Sequence, residues 1–449
     1  MNTILDFIIR FKTDESFKVG VVERGYSDLL AESDFSFIKE EFNMLRVNSE
    51  LNDPHQRFEN LKAFGFSLYK KIFTPETERV WKKFKDKSYF LTMCIRIEDK
   101  ADKLEILPWE TVFDGSEFIC AGANTSLTRL GCNVSPIDSL PEVDFPVKMF
   151  ALTSGPCDLE KNDMPDIEKE HNILLCATNS PTGQGKLFVE FEDEAKISVI
   201  KNYFKNKFDI FHYSGHGICS EHGGGLVLED LNGRKKETKV NEIVELIEKG
   251  DKNIRLAVVS GLQTTRTLNA DGFISLAQGL IRKIPGVLAM QFPITDKAWL
   301  LFSELFYLFI IQGRPLDRVV SAARRVLLED KDINIRLSAF SPALFLRNNN
   351  PLNIKQPEEA EINEESESTK KIYMHLPELD SEFYGRQREC RKIDEVFVQK
   401  NYKAIIIHGK GGTGKTALIR HSALRLKDHF KRIYSFNCMS GIFSPDTIL

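Results

Sequence analysis

Two strand-like runs in this chain end in residues suited to proton transfer and nucleophilic chemistry. The first, Phe208-Asp209-Ile210-Phe211-His212-Tyr213-Ser214-Gly215-His216-Gly217, opens apolar and closes in His-Gly at an expected tight turn. The second, Leu256-Ala257-Val258-Val259-Ser260, runs into Gly261-Leu262-Gln263-Thr264. In an open parallel sheet, ligands and catalytic groups gather beyond the carboxyl ends of the strands. If these two strands are neighbours, a site lies between their ends. A histidine at a strand end suits general-base work on a thiol or hydroxyl. The N–H of Gly217 could help to stabilise an oxyanion. The plainer reading is that His212 and His216 satisfy backbone groups at a turn.

A third stretch carries different chemistry. Ala404-Ile405-Ile406-Ile407 reads as a buried strand, leads into Gly409-Lys410-Gly411-Gly412-Thr413-Gly414-Lys415-Thr416, and continues into the helical Ala417-Leu418-Ile419-Arg420. Strand, glycine-rich loop and helix in that order make a phosphate-binding loop. Gly409, Gly411, Gly412 and Gly414 let backbone N–H groups curl around phosphate oxygens. Lys415 would reach the outer phosphates and the Thr416 hydroxyl would hold magnesium. The expected cofactors are ATP or ADP with Mg. The plainer alternative is an ordinary glycine-rich turn.

These stretches need a scaffold, and the chain is long enough for one. Its 449 residues suggest about two to three domains. A charged share of 28% and a hydrophobic share of 42% are ordinary for globular protein. The net charge of −4 gives no reason to expect nucleic acid or an anionic membrane as partner. The first ten residues lack the basic start and small-residue cleavage site of a signal peptide. The longest apolar run, Trp299 to Ile311, falls short of the roughly 20 residues that cross a bilayer. Eight cysteines are scattered singly, so reduced thiols in a cytoplasmic setting are expected.

Along the chain, Ile4 to Phe11 is apolar enough for a strand. Phe35, Ile38, Phe42 and Leu45 fall on one helical face, with Ser33 as a candidate cap. Phe58, Leu61, Phe64, Leu68 and Ile72 mark a second helix, beginning near Asp53-Pro54. Tyr89 to Ile97 has strand character. Pro108 biases Leu107 toward an extended shape, and Trp109 reads as a core aromatic. From Val147 onward strand and helix alternate. Strands are expected at 147–152, 187–191, 208–217, 226–228, 256–260 and 286–290. Helices are expected at 167–175, near Ile197 to Phe204, and at 240–247, 272–281, 299–311 and 316–328. Alternation of this kind argues for a parallel sheet covered on both faces by helices. Residues 348 to 371 hold six glutamates and few large apolar side chains, which reads as a flexible linker.

Several motifs then occur in a familiar order. Leu107-Pro108-Trp109-Glu110, His212-Tyr213-Ser214-Gly215-His216-Gly217, Ser260-Gly261-Leu262-Gln263-Thr264, Asp271-Gly272-Phe273 and Met290-Gln291-Phe292-Pro293-Ile294-Thr295-Asp296 resemble those of CHAT domains, which are caspase-like cysteine peptidases. The resemblance spans about residues 55 to 347. It implies an α/β fold, a mostly parallel caspase-like sheet sandwiched by helices, with a protein or peptide as substrate or partner. It also implies that His216 matches the family's catalytic histidine, with Gly217 beside it. The family places its nucleophilic cysteine in a Ser-Ala-Cys-Gln-Thr-like motif, and that position here is Leu262. A leucine has no nucleophilic or ionisable atom, so thiolate attack from this position is impossible. Ser260 and Thr264 are each roughly 6 to 7 Å away along an extended chain. Cys219 is a remote substitute and reads better as a packed thiol.

Phe383-Tyr384-Gly385-Arg386-Gln387-Arg388-Glu389, upstream of the phosphate loop, resembles the entry to STAND-type switch NTPases of the NB-ARC or NACHT kind. No second acidic magnesium-binding strand follows before Leu449, so a truncated P-loop module without hydrolysis of its own is expected. Such a module would offer a route to oligomerisation. The expected layout is an N-terminal part of the CHAT region over 1–145, the caspase-like core over 146–347, an acidic linker over 348–380 and a partial P-loop module over 381–449. The leading expectation is a pseudo-peptidase tethered to a nucleotide-binding switch, in regulation or defence signalling. The alternative is an active cysteine-type endopeptidase, either with cysteine at 262 in its unmutated form or with a displaced nucleophile such as Ser260 or Cys219.

Overall fold

The computed structural model describes residues 4–13, 16–23, 26–34, 53–86, 90–97, 104–105, 107–130, 134–159, 167–183, 185–220, 223–250, 253–261, 270–355, 371–374, 386–399, 407–408, 414–426 and 432–435. The chain divides into two compact units, Met1–Thr178 with Leu187–Gln356, and Asn179–Lys186 with Pro357–Leu449.

The first unit is built on one large sheet. Its strands are β1 (Ile4–Thr13), β2 (Ser16–Glu23), β3 (Tyr26–Asp34), β4 (Phe90–Ile97), β5 (Thr125–Leu130), β6 (Val147–Thr153), β7 (Leu187–Glu192) and β8 (Ile210–Gly215). After them come β9 (Gly217–Ser220), β10 (Gly223–Glu229) and β11 (Lys235–Lys239), then β12 (Leu256–Gly261), β13 (Gly286–Met290) and β14 (Pro342–Leu346). The order across the sheet is β3-β2-β1-β4-β5-β14-β13-β12-β8-β6-β7. Pairing is parallel from β7 through β6, β8 and β12 to β13. It is also parallel for β1 with β4, β4 with β5 and β5 with β14. The β13–β14 pair and the β1–β2–β3 ribbon run antiparallel. The expected mostly parallel α/β sheet is therefore present, and residues 1–145 extend it.

Period-2 alternation decides which side chains each face of this sheet receives. On one side Ile210, Leu256, Val258 and Leu288 pack under the helices Asp296–Ile311 and Leu316–Leu328. On the other, Phe211, Tyr213, Ala257 and Val259 pack under Ile197–Tyr203, Val240–Lys249 and Ala270–Ile281. The strands are buried on both faces, so they read as continuous apolar runs. Around β1 and β4 a third core gathers Phe7, Phe11, Met93 and Trp109 beneath the Pro54–Ile72 helix. That helix starts as its sequence dictates. Asp53 accepts the His55 N–H at 2.9 Å, and Pro54 takes a first-turn position that needs no donor. Thr295 caps the Asp296–Ile311 helix by accepting from Ala298 N.

Several expectations are corrected. Ser33 is a residue of β3, paired with Phe17, not a helix cap; the helix expected over Phe35 to Leu45 lies outside the described residues. The strand expected at Leu226-Val227-Leu228 is present within β10, in a separate antiparallel sheet, β11-β10-β9. The acidic segment begins later than residue 348, because Leu352 and Ile354 are buried in the first unit. Lys371–Met374 is β15, paired in parallel with β16 (Arg432–Ser435), within the expected linker. The helix Pro75–Asp86 and the strands β2, β3, β5, β11 and β14 had no clear signal in the sequence.

In the second unit the helices Gln387–Gln399 and Lys415–Arg425 share a small core of Cys390, Ile393, Leu418 and Leu426. Among the described residues no helix is long and apolar enough to cross a membrane.

Candidate active site

The two pivotal strands are neighbours. β8 and β12 pair in parallel register, with Ser214 opposite Ser260 and Gly215 opposite Gly261. His216 is the next residue after one strand end and Leu262 the next after the other. Leu262 and the loop to residue 269 lie outside the described residues. Neighbouring strands lie about 4.8 Å apart, so the described strand ends at Gly215 and Gly261 sit side by side.

His216 is half-buried, and its carbonyl accepts from Val227 N at 2.9 Å and from the Tyr213 hydroxyl at 3.0 Å. Gly217 opens β9 and pairs with Leu226 of β10. The backbone around the histidine is thus held by a hairpin that immediately follows it.

Beneath this turn lies a buried chain of polar groups facing the Asp296–Ile311 helix. Tyr307 OH touches His212 Nδ1. His212 Nε2 is 3.1 Å from Ser214 Oγ, which is 2.9 Å from Ser260 Oγ, and Ser260 donates to Tyr213 O at 3.2 Å. Counting protons settles the direction. A carbonyl only accepts, so the Ser260 proton goes to Tyr213 O and Ser260 must accept from Ser214. Ser214 must then accept from His212 Nε2–H, and Nδ1 accepts from Tyr307. His212 is neutral in this arrangement. Burial, with His171 nearby as a lesser cause, lowers its pKa to about 3. Burial likewise raises Tyr307 well above the usual phenol range. The plainer reading of His212 is corrected in one respect: its partners are the side chains of Tyr307, on a helix, and Ser214, on its own strand, not backbone groups at a turn.

A second buried network joins two of the sequence motifs. Glu110, fully buried, accepts from Arg129 through both carboxylate oxygens. Gln291 donates to Glu110 and to Phe340 O and accepts from Arg129 at 2.9 Å. Trp109 is fully buried and donates to Leu104 O, which agrees with its reading as a core aromatic.

With this geometry in hand, comparison with known proteins decides the family. The CHAT domain family matches residues 66–380. The chain belongs to the CHAT family. No curated protein matches it. Among solved structures, the complex of Porphyromonas gingivalis RgpB pro- and mature domains is similar at 10% identity and a TM-score of 0.38, covering 66% of this chain and 70% of that one. The Arg-specific cysteine proteinase gingipain R (RGPB) is similar at 12% identity and a TM-score of 0.38, covering 63% and 70%.

Within this CHAT chain, β8 and β12 bring the ends leading to His216–Gly217 and to Leu262 side by side. Ser260 is 3% exposed and its proton is committed to Tyr213 O, which counts against it as a displaced nucleophile. Cys219 is a residue of β9. Tyr213, Ser214 and Tyr307 escaped the sequence reading as structural partners of the histidines. The available signal for Tyr213 and Ser214 was polar residues recurring within an otherwise apolar strand.

Of the phosphate-loop residues, Gly409, Gly411 and Gly412 lie outside the described residues, as does the Thr416 side chain. Gly414 has φ +79° and ψ +17°, a left-handed conformation that favours glycine, and it directly precedes the Lys415–Arg425 helix. The helix's first turn has no acidic side chain, so its N-terminal N–H groups and positive dipole end meet no carboxylate of their own turn. These features fit a phosphate ligand. Gly414 and Lys415 are the described residues that would hold it. Among the described residues no group of three or more His, Cys, Asp or Glu side chains could hold a metal ion.

Proposed function

We propose that this chain is a CHAT pseudo-peptidase: a caspase-like scaffold that engages a protein or peptide without cleaving it. One observation carries the reading. The strand ends that should present a base and a thiol are paired at Gly215 and Gly261, and the residue beyond Gly261 is a leucine. The histidine could accept a proton, but the side chain at position 262 has no sulfur to give one up. Incubation of the purified chain with a fluorogenic peptide library tests this. No cleavage is expected, and Leu262→Cys is expected to gain it. Cleavage by the unaltered chain, lost in His216→Ala, would overturn the reading in favour of a working peptidase with a displaced nucleophile.

The second unit, in this reading, is a nucleotide-binding switch that couples ATP or ADP to the scaffold in regulation or defence signalling. The left-handed Gly414 before a helix that starts at Lys415 supports it. Calorimetric titration with ADP and magnesium is expected to give binding heat that Lys415→Ala abolishes. Equal heat from both proteins would refute it.

A further inference from the structure

We propose that Tyr213 is a positioning residue for His216, acting with Ser154 as a hydroxyl brace under the histidine turn. The proposal rests on the reading of His216 as the proton acceptor of the CHAT site. Tyr213 lies on the face of β8 opposite His212 and is fully buried. Its hydroxyl is 2.8 Å from Val227 O and 3.0 Å from His216 O. A phenol has one proton for these two carbonyls. Ser154, just past the end of β6, donates to Val227 O at 2.7 Å, and because a carbonyl oxygen has two lone pairs the Tyr213 proton is shared between Val227 O and His216 O. Ser154 is itself tied to β8 through Ser154 N to Ser214 O at 2.9 Å. The next residue, Gly155, donates to the buried Glu229 carboxylate of β10 at 3.2 Å. Three segments, the ends of β6 and β8 and β10 at Val227, thus meet on one hydroxyl pair beneath the histidine.

Gly215 is part of the same device. A Cβ there would lie 2.5 Å from the Tyr213 hydroxyl oxygen, 2.7 Å from Cζ and 3.1 Å from Ser154 Cβ. The space that a side chain would fill is occupied by the phenol, and a phenol reaching under its own strand needs glycine two residues on. Burial raises the Tyr213 pKa far above the usual phenol range, so the hydroxyl remains a donor at every working pH.

The test has two arms. In the full chain with 13C-labelled histidine, the His216 ring cross-peak, assigned by its loss in His216→Asn, is followed in Tyr213→Phe and Ser154→Ala. The brace predicts that it moves by more than a line width or broadens in both, while the folded dispersion of the spectrum is kept. A purely structural tyrosine would lower the melting temperature and leave that peak in place, which would overturn the proposal. In the second arm Leu262→Cys and Leu262→Cys/Tyr213→Phe are compared on the fluorogenic library. Misplacement of a base by about 1 Å costs on the order of 10²-fold in rate, so kcat should fall by about that factor with KM unchanged. Equal kcat values would overturn the brace. If Leu262→Cys cleaves nothing, the peptidase reading of the site falls, and the ring signal alone judges the brace.

Discussion

Acidification should destabilise the fold through the buried His212. In the fold this imidazole is neutral and locked between Tyr307 and Ser214, with a pKa lowered to about 3. In the unfolded chain it returns to about 6.5. A depressed histidine contributes stability that is fully present above the unfolded pKa and is lost as pH falls from about 6.5 toward 3. Between pH 7.5 and pH 5 the unfolded state takes up nearly one proton that the folded state refuses. At about 1.4 kcal/mol per pH unit per proton, integration over that range gives roughly 2 kcal/mol. Replacing His212 by Gln keeps a polar group and removes the titration. The assay is urea unfolding of both proteins at pH 7.5, 6.5, 5.5 and 5.0, stopping above the range where carboxylates dominate. The Gln variant is expected to be less stable at pH 7.5 because the chain of hydrogen bonds is disturbed, but its stability should fall by about 2 kcal/mol less on going to pH 5. Parallel pH profiles for the two proteins would refute the assignment of a neutral, buried His212.

Two further perturbations test the scaffold. Arg129→Met leaves the Glu110 carboxylate buried without its bidentate partner, and breaking a buried pair from one side costs about 3–5 kcal/mol. Glu110 also meets the buried Arg324 at 3.8 Å and accepts from Gln291, so adding Glu110→Leu should recover only part of the loss in denaturant unfolding, whereas a single-variant loss below about 1 kcal/mol would show the pair to be incidental. Asp6 behaves in the opposite sense to His212. Burial, then the neighbouring Asp317, raises its pKa to about 6, against the opposing pull of Arg96 and a hydrogen bond from Asn349. Its contribution to stability is present below about pH 4 and is lost as pH rises through 6. Asp6→Asn is therefore expected to stabilise the fold at pH 7.5 by on the order of 2 kcal/mol and to have little effect at pH 4. A destabilised variant at pH 7.5 would contradict the sign.

The reach of the amino-acid sequence differed from element to element. β6, β8, β12 and β13 were legible because strands buried on both faces must be apolar along their whole length. The Pro54–Ile72 helix was legible because its cap and its three-and-four spacing are local. β5, Thr125-Ser126-Leu127-Thr128-Arg129-Leu130, was not. Its polar residues are satisfied by distant groups: Ser126 by Asp317, and Arg129 by Glu110 and Gln291. No window of sequence contains both partners of such a bond. β14 was missed because five residues starting at a proline carry too little pattern on their own.

By itself, the order of residues determined that a histidine–glycine turn and a leucine each follow an apolar run, and that no thiol stands at 262. Those are facts of covalent identity and short-range periodicity. Tertiary structure alone decided that the two runs lie edge to edge in matching register, that His212 looks inward to Tyr307 while Tyr213 props the carbonyl of His216, and that residues 1–145 continue the same sheet. Hydrogen bonding between strands and the packing of opposite sheet faces join residues tens to hundreds of positions apart, and that is information a linear pattern does not hold.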